Sequence, residues 1–323
     1  MKSILIIIDY FGQWPKWFDM FLKTCEHNAT VHWLLHTDCR IPPDPPANVR
    51  FVRTSREQYT KRVSDTLGIR FAPDSMYAIC NVRPAFGVLY AEEIRGYDYF
   101  GWGDIDVLYG DIRRFYTDEV LTHDVICASD RLCTGHLTLL RNDSSLREAF
   151  REIDSWRERL EDPASHPWSE CLDEAKLSGL FSPLPEVRAE HAPRGATALA
   201  RYSRNNYFKE QWHTPFVPLP WHDGTRLHPE VWFWCNGRLT NERDGSREFL
   251  YLHLMNFKSK RWVDETLYGT APTWESLQQV LHFDCRDLYE HTVRIDRQGL
   301  HVMRDEGAPS PASPSASAIG CQG

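Results

Sequence analysis

The sequence predicts an α/β protein built on a mostly parallel sheet with helices on both faces, followed by a smaller mixed C-terminal subregion. Three observations predict it. Segments of strand and helix character alternate through the first 160 residues, as in a parallel sheet with crossover helices. The first segment, residues 3–8, is a continuous, β-branched-rich apolar run, the pattern of a strand buried on both faces. A later apolar strand, residues 97–103, runs directly into Asp104 and Asp106, at the end where an open α/β sheet carries its ligand.

The elements follow in order. After residues 3–8 comes the turn Asp9-Tyr10-Phe11-Gly12. Residues 14–25 then carry Trp17, Phe18, Phe21 and Leu22 at helical spacing, with Pro15 in the first turn. Residues 31–36 form a second strand ending in Thr37-Asp38, and residues 49–53 a third. Ser55 caps a helix running to about Leu67, with Gln58 placed to complete a capping box. Arg83-Pro84 opens a helix to about Ile94, which Gly96 stops. Residues 125–128 and 136–140 are two more strands, and residues 146–160 a helix. Beyond about Asp162, Pro, Trp and His become frequent. Residues 231–235, 238–240 and 248–253 are expected to form a meander or hairpin, with Asn236-Gly237 as its turn. Residues 274–281 read as a short helix. The Pro/Ser/Ala-rich stretch from 307 lacks core-forming residues and reads as a disordered tail. The expected division is a core at 1–160, an acceptor-side region at 161–306 and the tail at 307–323.

Composition narrows the class. Lys and Arg number 37 against 45 Asp and Glu, a net charge of −8, which argues against a nucleic-acid partner. Nine scattered cysteines without a CxxC pair fit reduced thiols in a cytoplasmic protein and speak against a cysteine-zinc site. The apolar run at the N-terminus is too short for a secretory leader, and no run is long enough to span a membrane; peripheral membrane contact stays open. Aromatic residues cluster with Pro at 212–234, a surface suited to sugar rings or to simple packing.

Five groups of residues can carry chemistry. In an extended backbone Asp104 and Asp106 point to one side and can share a hard cation, while Ile105 faces the core. Asp111 reads as a turn or helix-start residue. In His253-Leu-Met-Asn-Phe-Lys258, His253 at a strand end is a metal-ligand candidate, and Lys258 or Lys260 can neutralise phosphate. Arg83, at a predicted helix N-terminus, calls for an anion nearby, either Asp104 or a diphosphate. Gly135 permits close backbone approach and His136 can contact a sugar. Asp173 or Glu174 can serve as a general base, although adjacent acids are more usual on a solvated helix face.

The ordered set of an apolar first strand with YFG, a strand-end TD, RPAFG, YDYFGWGDIDVLYGDI, GHLTLLRN and FLYLHLMNFKSKRW resembles a bacterial family of polysaccharide-type glycosyltransferases over most of residues 1–265. The pattern is also similar to glycosyltransferases of the GT-A fold, a Rossmann-type sheet in which a D-x-D pair holds a divalent metal and a sugar-nucleotide diphosphate. In retaining members a late His near Gly and Lys completes that site; here Asn256 stands where those relatives often have Gly, and the lysine spacing differs.

The resemblance implies a metal-dependent transfer of sugar from a nucleotide-diphosphate donor, a UDP-sugar favoured, to a saccharide or other hydroxyl acceptor. It implies Mn²⁺ or Mg²⁺ on Asp104, Asp106 and His253, and donor contacts from Tyr10, Phe11 and Asp38. Arg83 and Lys258 assist at the diphosphate, and an inverting enzyme takes Asp173 or Glu174 as base. Two other readings stay open: a non-catalytic carbohydrate-binding or scaffold module on the same fold, and a nucleotidyltransferase. The latter usually carries a glycine-rich basic loop where this chain has Asp9-Tyr10-Phe11-Gly12-Gln13.

Overall fold

The computed structural model of the chain describes residues 1–165, 171–191, 202, 205–258, 263, 265–268 and 291–303. The predicted helix at 274–281, the tail from 307 and Lys260 lie outside the described residues.

The apolar runs become strands β1 (Ile4–Tyr10), β2 (Val31–Thr37), β3 (Val49–Arg53), β4 (Tyr99–Gly103), β5 (Val107–Tyr109), β6 (Val125–Cys127), β7 (Leu137–Arg141) and β8 (Asn206–Phe208). All but β5 form one seven-stranded sheet in the order β3-β2-β1-β4-β7-β6-β8. β1 pairs in parallel with β2 and β4, β2 with β3, and β6 with β8; only β7 runs antiparallel to its neighbours. The fold is therefore the expected mixed α/β architecture with a mostly parallel sheet. Its last strand comes from beyond residue 160.

The pleat of β1 divides the core. Ile4, Ile6 and Ile8 pack on one side with Trp17 and Phe21 of the α1 region (α1, Phe18–His27). Leu5 and Ile7 pack on the other with Tyr59 and Val63 of α2 (Arg56–Leu67) and with Phe86. Alternate residues of one strand thus feed two apolar layers, which is why the whole run is hydrophobic. The helix signals at α2 act as read: Ser55 Oγ accepts from Gln58 N, Gln58 Oε1 accepts from Ser55 N, and Gly68 at φ 64° ends the helix. Gly101 of β4 lies so close to β7 that a Cβ there would sit 2.0 Å from the Thr138 carbonyl oxygen.

Three expectations are corrected. No continuous helix runs from Arg83 to Ile94. Met76–Ala85 winds as a 3₁₀ helix and Phe86–Leu89 adds one α turn, so Arg83 sits inside a tight coil and not at a helix N-terminus. Pro84 removes a backbone donor there, and Asn81, Val82 and Arg83 are all buried, leaving no solvated face for a regular helix. Residues 146–160 are likewise broken, into Ser144–Glu148, a 3₁₀ turn Ala149–Glu152 and Trp156–Glu161, because buried Ile153 leaves helical geometry.

The third correction concerns residues 248–253. Strands β9 (Trp232–Cys235) and β10 (Arg238–Asn241) do form a hairpin, with Asn236 and Gly237 both at positive φ as a type I′ turn requires. They extend through β9 into a sheet of order β10-β9-β12-β13, where β11 is Tyr251–His253, β12 is Thr292–Asp296 and β13 is Gly299–Met303. β11 does not join this sheet. It pairs antiparallel with β5 instead, placing His253 opposite Val107. Gly110 makes the approach possible: it donates to Leu250 O at 2.9 Å, and a Cβ would lie 2.4 Å from Phe249 O. Among the described residues no helix is long and apolar enough to cross a membrane.

Candidate functional site

The β5–β11 pairing assembles the site. β4 ends at Gly103, and the chain turns through Asp104-Ile105-Asp106 into β5. The acidic pair therefore lies in a turn, not on an extended strand as expected. The turn is pinned by Trp17 Nε1, which donates to Ile105 O at 3.0 Å, and by Leu254 N, which donates to Asp106 O at 2.8 Å. Ile105 is buried as predicted. One ligating atom each from Asp104, Asp106 and His253 lies within 4.8 Å of the others. The convergence inferred from the pleat is met by a different backbone geometry.

Asp106 is 4 % exposed, with Oδ2 2.6 Å from Lys258 Nζ and 3.3 Å from His253 Nε2. Burial alone would raise its pKa; Lys258 and His253 outweigh burial and hold the carboxyl well below the usual range. Lys258 reaches it from the short helix Met255–Lys258, directly after β11. Asp104 is half-buried and its Oδ1 is taken by Arg83 Nη2.

Arg83 is the hub of the opposite wall. Nη1 donates to Gly135 O at 2.9 Å and to Asp173 Oδ2 at 2.9 Å, while Nη2 holds Asp104. Burial opposes its charge, but Asp104 and Asp173 more than compensate, keeping it protonated. The anion inferred for Arg83 is thus supplied by the protein itself. Asp173 corrects the picture of a solvated helix face: it is 2 % exposed, on a single π turn Leu172–Lys176. Burial pushes its pKa up to about 7 against the pull of Arg83. Glu174 Oε1 accepts from Gly135 N at 2.9 Å. The close approach permitted by Gly135 is to these side chains: a Cβ would fall 2.8 Å from Arg83 Nη1 and 3.1 Å from Asp173 Oδ2.

His136 is buried, its Nδ1 2.7 Å from Tyr251 Oη and its ring centroid 4.3 Å from His253 and 4.4 Å from His213. Burial, then His253 and His213, keeps it neutral with a pKa well below the ordinary value. Sequence reading missed His213 and its neighbour Thr214. His213 lies beyond the aromatic segment's first Trp and has no spacing motif with His136 or His253, because the three come from separate parts of the chain. Asp111 caps the next short helix as expected, accepting from Arg113 N at 3.0 Å.

The first loop forms another rim. Asp38 accepts from Gly12 N at 2.7 Å and pairs with Arg56 at 3.5 Å. Tyr10 stacks on Trp14 with centroids 5.3 Å apart, and Phe11 tilts against Tyr59 at 5.2 Å. A cleft of about 600 Å³ is lined by Arg56, Thr60, Asp74, Met76 and Tyr77. The charges of Asp104 and Asp106 reach Tyr77 and, after burial, help to raise its pKa. Arg56, which pairs with Asp38, ties this cleft to the first loop.

Asp9, at the end of β1, gives a pH-dependent prediction. Its Oδ1 accepts from Tyr90 Oη at 2.6 Å, while Oδ2 is buried without a partner. Burial pushes the pKa to about 7, from an ordinary 3.8. The folded state then holds a proton that the unfolded chain releases, so this stabilisation is full below about pH 4 and is lost as pH rises through 7, by up to about 1.4 kcal/mol per unit. Asp9→Asn is expected to flatten the pH dependence of urea unfolding between pH 4 and 7. A slope unchanged from wild type would assign the proton elsewhere.

The donor chemistry fits a hard divalent ion: two carboxylates and one imidazole nitrogen converge, and Asp104 Oδ2 and Asp106 Oδ1 make none of the ion pairs described. Two protein cations already lie against the pair, so any such ion shares it with Arg83 and Lys258.

A family model described as a family of unknown function (DUF6625) matches residues 6–271. No curated protein matches the chain.

Proposed function

For a chain that belongs to the family of unknown function DUF6625, we propose metal-dependent glycosyl transfer from a nucleotide-diphosphate sugar to a saccharide or other hydroxyl acceptor, in polysaccharide or glycoconjugate synthesis in the cytoplasm. The observation that carries this reading is the convergence of Asp104, Asp106 and His253 at the carboxyl end of β4, with Lys258 beside them. Asp104, Asp106 and His253 would hold Mn²⁺ or Mg²⁺, which when bound offsets charge on a leaving diphosphate as a Lewis acid. Lys258, a third exposed, is placed to exchange Asp106 for a phosphate oxygen. Arg83 is enclosed by Asp104, Asp173 and Gly135, so its part is to position Asp104 and not to touch the donor. The cleft beside Asp38, Arg56 and Tyr77 suits a nucleoside, UDP favoured, with Tyr10 and Phe11 on the neighbouring rim. Asp173, with its pKa near 7, has the proton affinity of a general base, whereas Glu174 is committed to the Gly135 backbone.

A second reading has an observation of its own. The ion pairs Arg83–Asp104 and Lys258–Asp106 balance both carboxylates with no metal, as suits a non-catalytic carbohydrate-binding module. Thermal unfolding with UDP-, GDP- and CMP-sugars, with and without Mn²⁺, separates the two. Under the transferase reading one nucleotide raises Tm by several degrees only with Mn²⁺ and its sugar is slowly hydrolysed. Stabilisation by saccharides alone would favour the binding module, and no response to any donor would sink the transferase reading.

A further inference from the structure

Behind the acidic turn lies a second set of ligating groups. One ring nitrogen each of His136, His213 and His253 lies within 4.8 Å of the other two, and all three residues are buried. Every Nδ1 is engaged. His136 Nδ1 is 2.7 Å from Tyr251 Oη, His213 Nδ1 is 2.6 Å from Thr214 Oγ1, and His253 Nδ1 is 3.0 Å from the same Thr214 oxygen. A hydroxyl oxygen accepts two hydrogen bonds, so Thr214 can take an Nδ1–H from both rings. That assignment leaves an Nε2 lone pair on His213 and turns the His253 Nε2 towards Asp106 Oδ2, where a bound metal ion takes the place of its proton. His213 is 7 % exposed, and its Nε2 is buried without a hydrogen-bond partner. An orphaned imidazole nitrogen in a cluster of imidazoles, each oriented from behind by a hydroxyl, is the arrangement in which a metal ligand is held.

We propose that His136, His213 and His253 form a nitrogen-rich site for a borderline transition-metal ion of the Zn²⁺ class, which shares His253 and Asp106 with the carboxylate-rich site but does without Asp104. Neutral imidazoles suit such an ion and not Mg²⁺. Ligands of one tetrahedral zinc stand about 3.3 Å apart at bond lengths near 2.0–2.1 Å, so nitrogens within 4.8 Å of one another close on one ion with at most about 1.5 Å of movement. Asp106 Oδ2 is 3.3 Å from His253 Nε2 and is the natural fourth ligand. His253 has one Nε2 to give, so an ion on the three histidines removes it from the acidic pair. This competition, unlike the site itself, rests on the transferase reading.

The test uses the metal-stripped full chain with Co²⁺ or Zn²⁺ alone and no nucleotide. One equivalent of Co²⁺ is expected to give the intense visible absorption of a four-coordinate nitrogen-ligated ion, bleached by Zn²⁺. His213→Gln should weaken binding by about 100-fold or more, and Thr214→Val, which keeps all three ligands, by about 10–100-fold. Asp104→Asn should leave the spectrum unchanged. The proposal is overturned if Co²⁺ gives only a weak six-coordinate spectrum. It is equally overturned if neither the His213 nor the Thr214 variant alters binding, or if Asp104→Asn abolishes it. None of these readouts involves sugar transfer, so failure here is distinct from failure of the transferase reading.

Discussion

Asp106→Asn is expected to abolish Mn²⁺-dependent stabilisation by the preferred nucleotide sugar and to reduce turnover by at least about 100-fold, since losing a ligand costs more than losing a group that merely orients one. Asp106 is the buried member of the pair and faces both His253 and Lys258. The amide keeps the shape but gives up the charge that draws a cation. The fold should tolerate the change. The Lys258 side chain is 33 % exposed and can turn its ammonium to water, and Asn still offers an oxygen to His253. The expected loss of stability is therefore modest, about 1–3 kcal/mol. Isothermal titration of Mn²⁺ and donor into the folded variant is the deciding measurement. Wild-type metal and donor affinity in this variant would remove Asp106 from the metal site and take the transferase reading with it.

Arg83→Met is expected to have the largest effect on stability, about 3–5 kcal/mol at pH 8, as for breaking a buried ion pair on one side only. The guanidinium satisfies three acceptors at once: Asp104, Asp173 and the Gly135 carbonyl. Methionine fills the volume and leaves two carboxylates uncompensated. The loss should shrink towards pH 5.5, because Asp173, raised to about 7 even beside Arg83, is protonated there in wild type and variant alike, so that only the Asp104 ion pair is lost. Arg83→Lys should recover little, since one ammonium cannot reproduce a planar fork that reaches three groups. Urea unfolding at pH 5.5 and 8 reads both effects. A cost under about 1 kcal/mol, or the same cost at both pH values, would mean that Arg83 does not organise this wall.

The contrast between α2 and the coil at Arg83 shows what was legible. At α2 the cap, the capping-box partner, the apolar face and the stopping glycine all lie within fourteen residues, and the helix forms where those residues say it should. The strand Val49–Arg53 and the Asn236-Gly237 turn are local in the same sense. Around Arg83 the local pattern also reads as helix, but partners 21, 52 and 90 residues away draw the guanidinium inward, and the backbone tightens to serve them.

The same division runs through the site. Asp104, Asp106, His253, Lys258 and Arg83 were recognisable as residues with chemistry at strand ends, because residue type and strand character are written in neighbouring positions. That they meet was decided by β11 pairing with β5 and not with the hairpin, a choice set by the close approach that Gly110 allows to the Phe249 and Leu250 carbonyls. His213 and Thr214 had no local signal at all. Their place against His136 and His253 follows from packing between segments 39 to 77 residues apart, so the sequence alone determined most strands of the sheet, the caps of α2 and the candidate groups other than these two. Only the tertiary structure decided which of those groups meet, because register between distant strands depends on backbone proximity that no short-range periodicity encodes.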